Sequence, residues 1–144
     1  MTKLSIFAVT GILLASVANA AGTKLTLGTK GNNLVFDKLK LSAKAGQPVT
    51  LIFKNNGTKD GGMQHNWSLV QPGSEQDIAT NGMGAGPEKG YLPDSPNIIA
   101  HTKLLNAGES ETITFTAPSK AGDYPYICTF PGHFPAMKGV LTVK

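Results

Sequence analysis

The stretch Tyr124-Pro-Tyr-Ile-Cys128-Thr-Phe-Pro-Gly-His133-Phe-Pro-Ala-Met137-Lys-Gly139 places a thiol, an imidazole and a thioether close together in the chain. His133 follows Cys128 by five residues and Met137 follows His133 by four, on a segment rich in Pro and Gly. Such segments connect strands as loops. One loop can therefore direct all three side chains into one pocket.

A second imidazole lies far upstream. His65 precedes Cys128 by 63 residues and follows Gly61-Gly62-Met63-Gln64. Two histidines, one cysteine and one methionine form the ligand list of a trigonal copper site with a weak axial thioether. The soft sulfur ligands suit Cu(I), and the imidazoles also accommodate Cu(II). The sequence therefore predicts one copper ion held by His65, Cys128, His133 and Met137.

Each of these residues has an ordinary alternative explanation. A lone histidine is more often a surface or core residue than a ligand, and a methionine beside a strand is usually a packing residue. Cys128 is the only cysteine, so it forms no internal disulfide, and a buried inert thiol is common. The combination of the four residues favours a metal site over these separate explanations.

The first twenty residues are typical of an export signal. Lys3 provides a positive start, Leu4 to Leu14 is mainly apolar, and Ala18-Asn19-Ala20 is a small-residue cleavage site. The apolar run is shorter than the roughly 20 residues that span a bilayer, although an uncleaved anchor is the alternative. We therefore predict a cleaved signal peptide over residues 1–20, a periplasmic location and no membrane span afterwards.

Residues 21–144 suffice for one domain with its own core. The full chain has a formal net charge of +4, and all its basic residues are lysines. Because nucleic-acid recognition favours arginine, we expect no nucleic-acid partner. The modest positive charge is weak support for an acidic partner. We expect a monomer.

Short β-type runs separated by turn residues dominate this domain and predict an all-β, two-sheet Greek-key sandwich. The predicted strands are Lys24–Thr29, Asn33–Asp37, Val49–Lys54, Asn66–Val70, Glu111–Ala117, Tyr124–Thr129 and Gly139–Lys144. One segment differs, because Ser74–Met83 has an N-cap serine and acidic residues in its first turn, which predicts a short helix. The proline-containing segment Gly84–Asn97 is predicted to be an irregular flap.

Three segments resemble the azurin family. Cys-Thr-Phe-Pro-Gly-His-x-x-x-Met-Lys-Gly, starting at Cys128, resembles the azurin copper loop, and Met63-Gln-His-Asn-Trp67 and Ile99-Ala-His-Thr-Lys-Leu104 are similar to other azurin segments. Auracyanins share the glutamine before the first histidine, where azurins have glycine. The resemblance implies a cupredoxin fold and an electron-transfer role.

The resemblance also implies roles for individual residues. His65, Cys128 and His133 would be the equatorial ligands and Met137 the axial one, with the Gln64 carbonyl oxygen as a weak ligand opposite. Around them, Asn66 would tie its strand to the Thr129 region. The backbone N–H groups of Asn66 and Phe130 would donate hydrogen bonds to the thiolate.

The function predicted from these features is a type 1 blue-copper electron carrier, not an enzyme. The expected partners are redox proteins, such as cytochromes or copper or haem reductases and oxidases, which dock transiently. Met63, Pro131, Phe134 and Pro135 are the predicted apolar docking patch around the outer edge of His133. The alternative is a protein that delivers or stores copper, for which the four methionines are few.

Overall fold

Eight strands and one α-helix form the regular structure of residues 22–144, the part of the chain that the computed structural model describes. The predicted signal peptide lies outside these residues. The strands are β1 (Thr23–Gly28), β2 (Lys40–Ala43), β3 (Pro48–Lys54), β4 (Ser68–Val70), β5 (Ile98–His101), β6 (Ser110–Thr116), β7 (Gly122–Ile127) and β8 (Lys138–Val143). The helix α1 is Glu75–Ala85.

The strands form two mixed sheets. The order is β1-β3-β6 in the smaller sheet and β2-β8-β7-β4-β5 in the larger one. Strand β1 is parallel to β3 and β2 is parallel to β8, whereas the other pairs are antiparallel. The predicted all-β class, with two sheets and a short helix, is confirmed.

Alternating side chains from the strands fill the core. Val49, Leu51 and Phe53 of β3 are fully buried, and the residues between them are not. Trp67 is also fully buried and packs against Tyr126 with ring centroids 6.0 Å apart. The Tyr124 hydroxyl donates a hydrogen bond to the Lys120 carbonyl at 2.9 Å, an arrangement that resembles the tyrosine corner of β-sandwiches.

The predicted strand Asn33–Asp37 is wrong. Gly31 has a φ of 59°, and the chain turns back so that the Asp37 N–H donates to the Gly28 carbonyl at 2.8 Å. This turn places Phe36 in the core, paired with Thr29 by a single bridge. Strands β2 and β5, of four residues each, were not predicted.

The helix α1 starts one residue after its predicted N-cap. Ser74 occupies the N-cap position, but its hydroxyl donates to the Gln71 carbonyl at 2.7 Å and caps no helix N–H. The predicted flap contains a 3-10 turn at Pro87–Lys89, followed by Gly90 and by Tyr91 with a φ of 57°. Among the helices of residues 22–144, none has the length and apolar character that a membrane span needs.

Candidate metal centre

Three of the four predicted ligands meet in one pocket, and the fourth, Met137, ends the loop that carries two of them. Strand β7 ends at Ile127, which pairs with Lys138 at the start of β8, so residues 128–137 are the connection between two antiparallel neighbours. His65 lies in the segment before β4. It pairs with Leu105 through a single isolated bridge. The loop therefore brings Cys128, His133 and Met137, and a separate segment brings His65.

The loop is held by hydrogen bonds within itself. The N–H of Cys128 donates to the Met137 carbonyl at 3.1 Å, and the N–H of Met137 donates to the His133 carbonyl at 2.9 Å. The N–H of His133 donates to the Phe130 carbonyl at 3.0 Å. Because these bonds join residues close in sequence, the loop fixes the relative positions of its own ligand side chains.

Three donor atoms converge in a buried pocket. The Cys128 sulfur lies 3.9 Å from Nδ1 of His65 and 3.6 Å from Nδ1 of His133. Donor atoms of the three residues all lie within 4.8 Å of one another. The exposed fraction is 1% for His65, 0% for Cys128 and 3% for His133. A thiol and two imidazoles thus face one another where water is nearly excluded.

These separations fit a trigonal metal ion. Typical bonds of about 2.3 Å to sulfur and about 2.0 Å to nitrogen, at trigonal angles, place the two donor atoms about 3.7 Å apart. The two observed sulfur–nitrogen distances lie on either side of that value. One thiolate and two imidazoles are also a donor set that suits copper. The residues present therefore fit the copper ion that the sequence predicts.

Two further residues, Met137 and Gln64, are predicted to contribute to the site. Met137 follows His133 by four residues, and Gln64 directly precedes His65. Met137 is fully buried and belongs to the same core cluster as Cys128. Gln64 is half-buried, and its side-chain amide donates to Oδ1 of Asn106 at 2.9 Å. The Gln64 side chain is thus held by the segment that follows Leu105.

Burial changes the acid–base properties of the donors. Desolvation raises the pKa of the Cys128 thiol to about 11, opposed by hydrogen bonds from the backbone N–H groups of Asn66 and Phe130. Desolvation, and then repulsion from His133, lowers the pKa of His65 to about 4. Burial also lowers the pKa of His133. Without metal at neutral pH, the pocket therefore holds a neutral thiol and neutral imidazoles, and a bound cation displaces the thiol proton.

Asn66 connects the two segments that bring the ligands. The N–H of Thr129 donates to Oδ1 of Asn66 at 2.8 Å, and Nδ2 of Asn66 donates to the Thr129 hydroxyl at 2.7 Å. The same Nδ2 donates to the Gly90 carbonyl at 3.1 Å. One buried side chain thus joins the residue after His65, the residue after Cys128 and the flap.

Phe130 covers one side of the pocket. Its ring lies 4.5 Å from the His133 ring, centroid to centroid, and 5.1 Å from the Tyr91 ring in an edge-on contact. Helix α1 supports the same region, because Gly82 packs closely against the Tyr91 carbonyl. The helix and the flap therefore brace the aromatic wall of the site.

The residues of the predicted docking patch lie at the surface. Met63 is 39% exposed, Pro135 is exposed, and Pro131 and Phe134 are half-buried. The Phe134 ring also packs beside Ile78 of α1 and lies 5.4 Å below the Lys138 ammonium group. His133 itself is only 3% exposed, so very little of this residue reaches the surface.

Three features of the site were not predicted. Met83 of α1 is 52% exposed and borders a groove of about 180 Å³ with Phe130 and Phe134, so the apolar surface extends onto the helix. Gly139 lies against the Tyr126 ring, which leaves no space for a Cβ. Asn55, the first residue of the Asn55-Asn-Gly57 stretch, is fully buried beside the His65 segment. A helical methionine or an Asn-Asn-Gly turn has no local sequence signal that indicates these contacts.

Comparisons with known proteins agree with the geometry. The family model for copper-binding proteins, plastocyanin/azurin family, matches residues 23–144. Auracyanin-A from Chloroflexus aurantiacus is 50% identical over 123 residues, which cover 83% of this chain and 74% of that protein. Azurin from Pseudomonas aeruginosa is 47% identical over 85 residues, or 57% of each chain, so that match spans little more than half of either protein.

A solved structure supports the same relationship. The structure described as auracyanin A, a "blue" copper protein from the green thermophilic photosynthetic bacterium Chloroflexus aurantiacus, has a TM-score of 0.78 and 48% identity, and covers 85% of this chain and 98% of that one. Sequence and fold agree over nearly all of the described residues. The chain is therefore a cupredoxin and belongs to the plastocyanin/azurin family of copper-binding proteins.

Proposed function

We propose that this protein is a type 1 blue-copper electron carrier of the periplasm. Residues 1–20 are its signal peptide, and residues 21–144 are a monomeric domain that binds one copper ion. His65, Cys128 and His133 are the equatorial ligands and Met137 is the axial ligand. The observation that carries this proposal is the convergence of one thiol and two imidazoles within 4.8 Å in a buried pocket.

The surroundings of the donors favour electron transfer over catalysis. Copper bound here would supply a Cu(II)/Cu(I) couple. The protein keeps water away from the donors, whose exposed fractions are 3% or less, and this leaves a substrate little access. The remaining histidine, His101, is exposed on β5, and within residues 22–144 the only metal-type cluster of histidine, cysteine and acidic side chains is the one described.

The protein holds its donors in nearly fixed positions. Hydrogen bonds within residues 128–137 and the Asn66 contacts restrain both segments that carry ligands. A site that moves little between two oxidation states keeps the barrier to electron transfer low, because preorganised groups need not reorient. The backbone N–H groups of Asn66 and Phe130 stabilise negative charge on the sulfur and tune the potential.

Electrons would enter and leave near His133. The apolar patch formed by Met63, Pro131, Phe134 and Pro135 surrounds the outer edge of His133. Small apolar contacts favour brief encounters with partners such as cytochromes or copper or haem reductases and oxidases. The absence of charge from the loop between Cys128 and Met137 removes a desolvation cost at each encounter.

Redox cycling of the copper-loaded protein tests this proposal. We expect an intense visible band from thiolate-bound Cu(II) that disappears on one-electron reduction and returns fully on oxidation, over repeated cycles. The alternative, copper delivery or storage, predicts rapid loss of Cu(I) to a competing chelator after reduction. Loss of the ion within one cycle would contradict the carrier function.

Self-exchange kinetics test the docking patch. Phe134→Lys adds a charge to the patch, so two copies repel and desolvation costs rise, and we expect self-exchange to slow by about tenfold or more while the spectrum is unchanged. Thr112→Lys is the matched control, because it adds the same charge on the exposed outer face of β6. Equal rates in the two variants would place the docking surface elsewhere.

A further inference from the structure

Asn55 is a polar residue in the core that contacts none of the proposed ligand side chains. It is the first residue after β3 and its exposed fraction is 0%. Burying an amide is costly unless its donors and acceptors are bonded. The hydrogen bonds of Asn55 therefore indicate what the residue does.

Each polar group of Asn55 has a partner. Its N–H donates to the Glu109 carbonyl at 2.9 Å, and its carbonyl accepts from the Gly108 N–H at 2.8 Å. Its Oδ1 accepts from the Gly57 N–H at 3.0 Å. Its Nδ2 donates to the carbonyls of Met63 at 2.8 Å and Leu105 at 3.0 Å. One side chain thus joins three stretches of the chain.

The two carbonyls bonded by Nδ2 lie on both sides of the His65 backbone. Leu105 is the partner of His65 in the isolated bridge, where the His65 N–H donates to the Leu105 carbonyl at 3.1 Å and the Leu105 N–H donates back at 2.8 Å. Met63 precedes His65 by two residues. The planar amide of Asn55 therefore fixes the peptide that contains Gln64 between two anchored points.

This arrangement compensates for the lack of regular structure around His65. The loop from Cys128 to Met137 is stabilised by its own hydrogen bonds. The His65 segment has one isolated bridge, and no strand lies between the end of β3 and the start of β4. Asn66 holds the residue after His65, but the residues before His65 can still shift unless a further contact restrains them. Asn55 provides that contact from the end of a buried central strand.

We infer that Asn55 is a positioning residue of the copper site, which holds the Gln64 carbonyl and the His65 imidazole in place during electron transfer. The inference rests on the proposed electron-carrier function and adds a residue to it. Asn55 acts through the backbone of the His65 segment and does not touch the metal. A residue needed only for folding would support the segment without affecting the spectrum, the potential or the exchange rate.

The test compares Asn55→Ser with Asn56→Ala in the copper-loaded chain. Asn56 is the neighbouring amide of the same turn, but its Nδ2 donates to the Thr29 carbonyl at 3.0 Å and not to the His65 segment. We expect Asn55→Ser to bind copper, to shift the visible band and the potential, and to slow self-exchange by about tenfold, equivalent to about 1.4 kcal/mol of barrier. We expect Asn56→Ala to match the wild type in all three.

A second variant keeps the inference testable if Asn55→Ser does not fold. Asn55→Ala removes both N–H donors without setting a buried charge against the Met63 and Leu105 carbonyls, so it should show the same changes in band, potential and exchange rate. The inference is overturned if a folded, copper-loaded Asn55 variant matches Asn56→Ala in these three measurements. Failure of the proposed function is seen separately, as a wild-type protein without the intense band.

Discussion

The loop from Cys128 to Met137 and the segment around His65 bring ligands to one pocket by different means. In the loop, the hydrogen bonds between two backbone groups join residues within ten positions of each other, such as Cys128 with Met137. His65 depends on distant residues, since its backbone pairs with Leu105 and the carbonyls beside it are held by Asn55. One half of the site is organised locally and the other half by the whole fold.

This difference predicts different responses to mutation. A change in the loop acts on the metal ligands directly, whereas a change around His65 acts through packing and hydrogen bonds that also stabilise the domain. Mutations in the loop should therefore alter mainly the visible spectrum, whereas mutations around His65 should alter both the spectrum and the free energy of unfolding.

Removing the thiol should have the largest effect. In Cys128→Ser the hydroxyl is a hard, weak ligand, so we expect complete loss of the intense visible band. The strands should be unaffected, because serine is similar in size to cysteine. Absorption and circular dichroism spectra of the variant check both points, and an intense band that survives would show that another group supplies the charge transfer.

Breaking the connection between the two regions should have the next largest effect. Asn66→Ala leaves the Thr129 N–H and the Gly90 carbonyl without their buried partner. We expect a loss of about 3 kcal/mol in the free energy of unfolding of the copper-free protein, measured with urea. The control Gln76→Ala removes an exposed amide on α1 and should change the free energy of unfolding little. Equal losses in both variants would mean that Asn66 does not connect the regions.

The pH dependence of the free energy of unfolding should report on the burial of His65. The pKa of His65 is about 4 in the folded chain against the ordinary 6.5, so between these values the unfolded chain binds more protons. Stability of the copper-free protein should therefore fall as the pH drops, by about 2 kcal/mol from pH 7.5 to 5. Urea unfolding at several pH values measures this loss.

Two variants assign that loss to its source. His65→Leu should remove the His65 share of the acid-dependent loss, because leucine does not titrate, and should leave the share that comes from His133, whose pKa burial also lowers. His101→Gln should retain it, because His101 is exposed on β5 and lies outside the site. The assignment fails if the loss persists unchanged in His65→Leu.

Replacing the proposed axial ligand, Met137, should have the smallest effect. Met137→Leu keeps the buried volume and removes a weak ligand, so we expect the copper to stay bound. A drier pocket favours the less charged Cu(I) state and should raise the potential by about 60 mV, a tenfold change for one electron. Voltammetry measures this shift, and a lowered potential or a copper-free product would contradict the axial role.

The difference between the regions also explains what the sequence could predict. The loop ligands are close in the chain, so their spacing carried the information, and strands such as β3 alternate over seven residues. His65 was found because Cys128 and His133 already indicated a metal and because Met63-Gln-His-Asn-Trp67 resembles an azurin segment. Asn55 was not found, because its partners Met63 and Leu105 are eight and 50 positions away.

The short and irregular elements were harder to predict from the sequence for a similar reason. Strands β2 and β5 have four residues each and depend on pairing with β8 and β4. The segment predicted as Asn33–Asp37 has strand-like residues, but the turn at Gly31 and the burial of Phe36 determine its path. Tertiary contacts override local preference in these places.

Titration of the purified chain with Cu(II), followed by visible absorption, most directly tests whether the two regions form one copper site. We expect a single intense band that grows to one equivalent of copper and is absent in Cys128→Ser. We also expect His65→Leu to shift the band or to weaken it strongly, because the remote segment supplies a ligand. No intense band in the wild type, or an identical band in His65→Leu, would contradict a single copper site built by both regions.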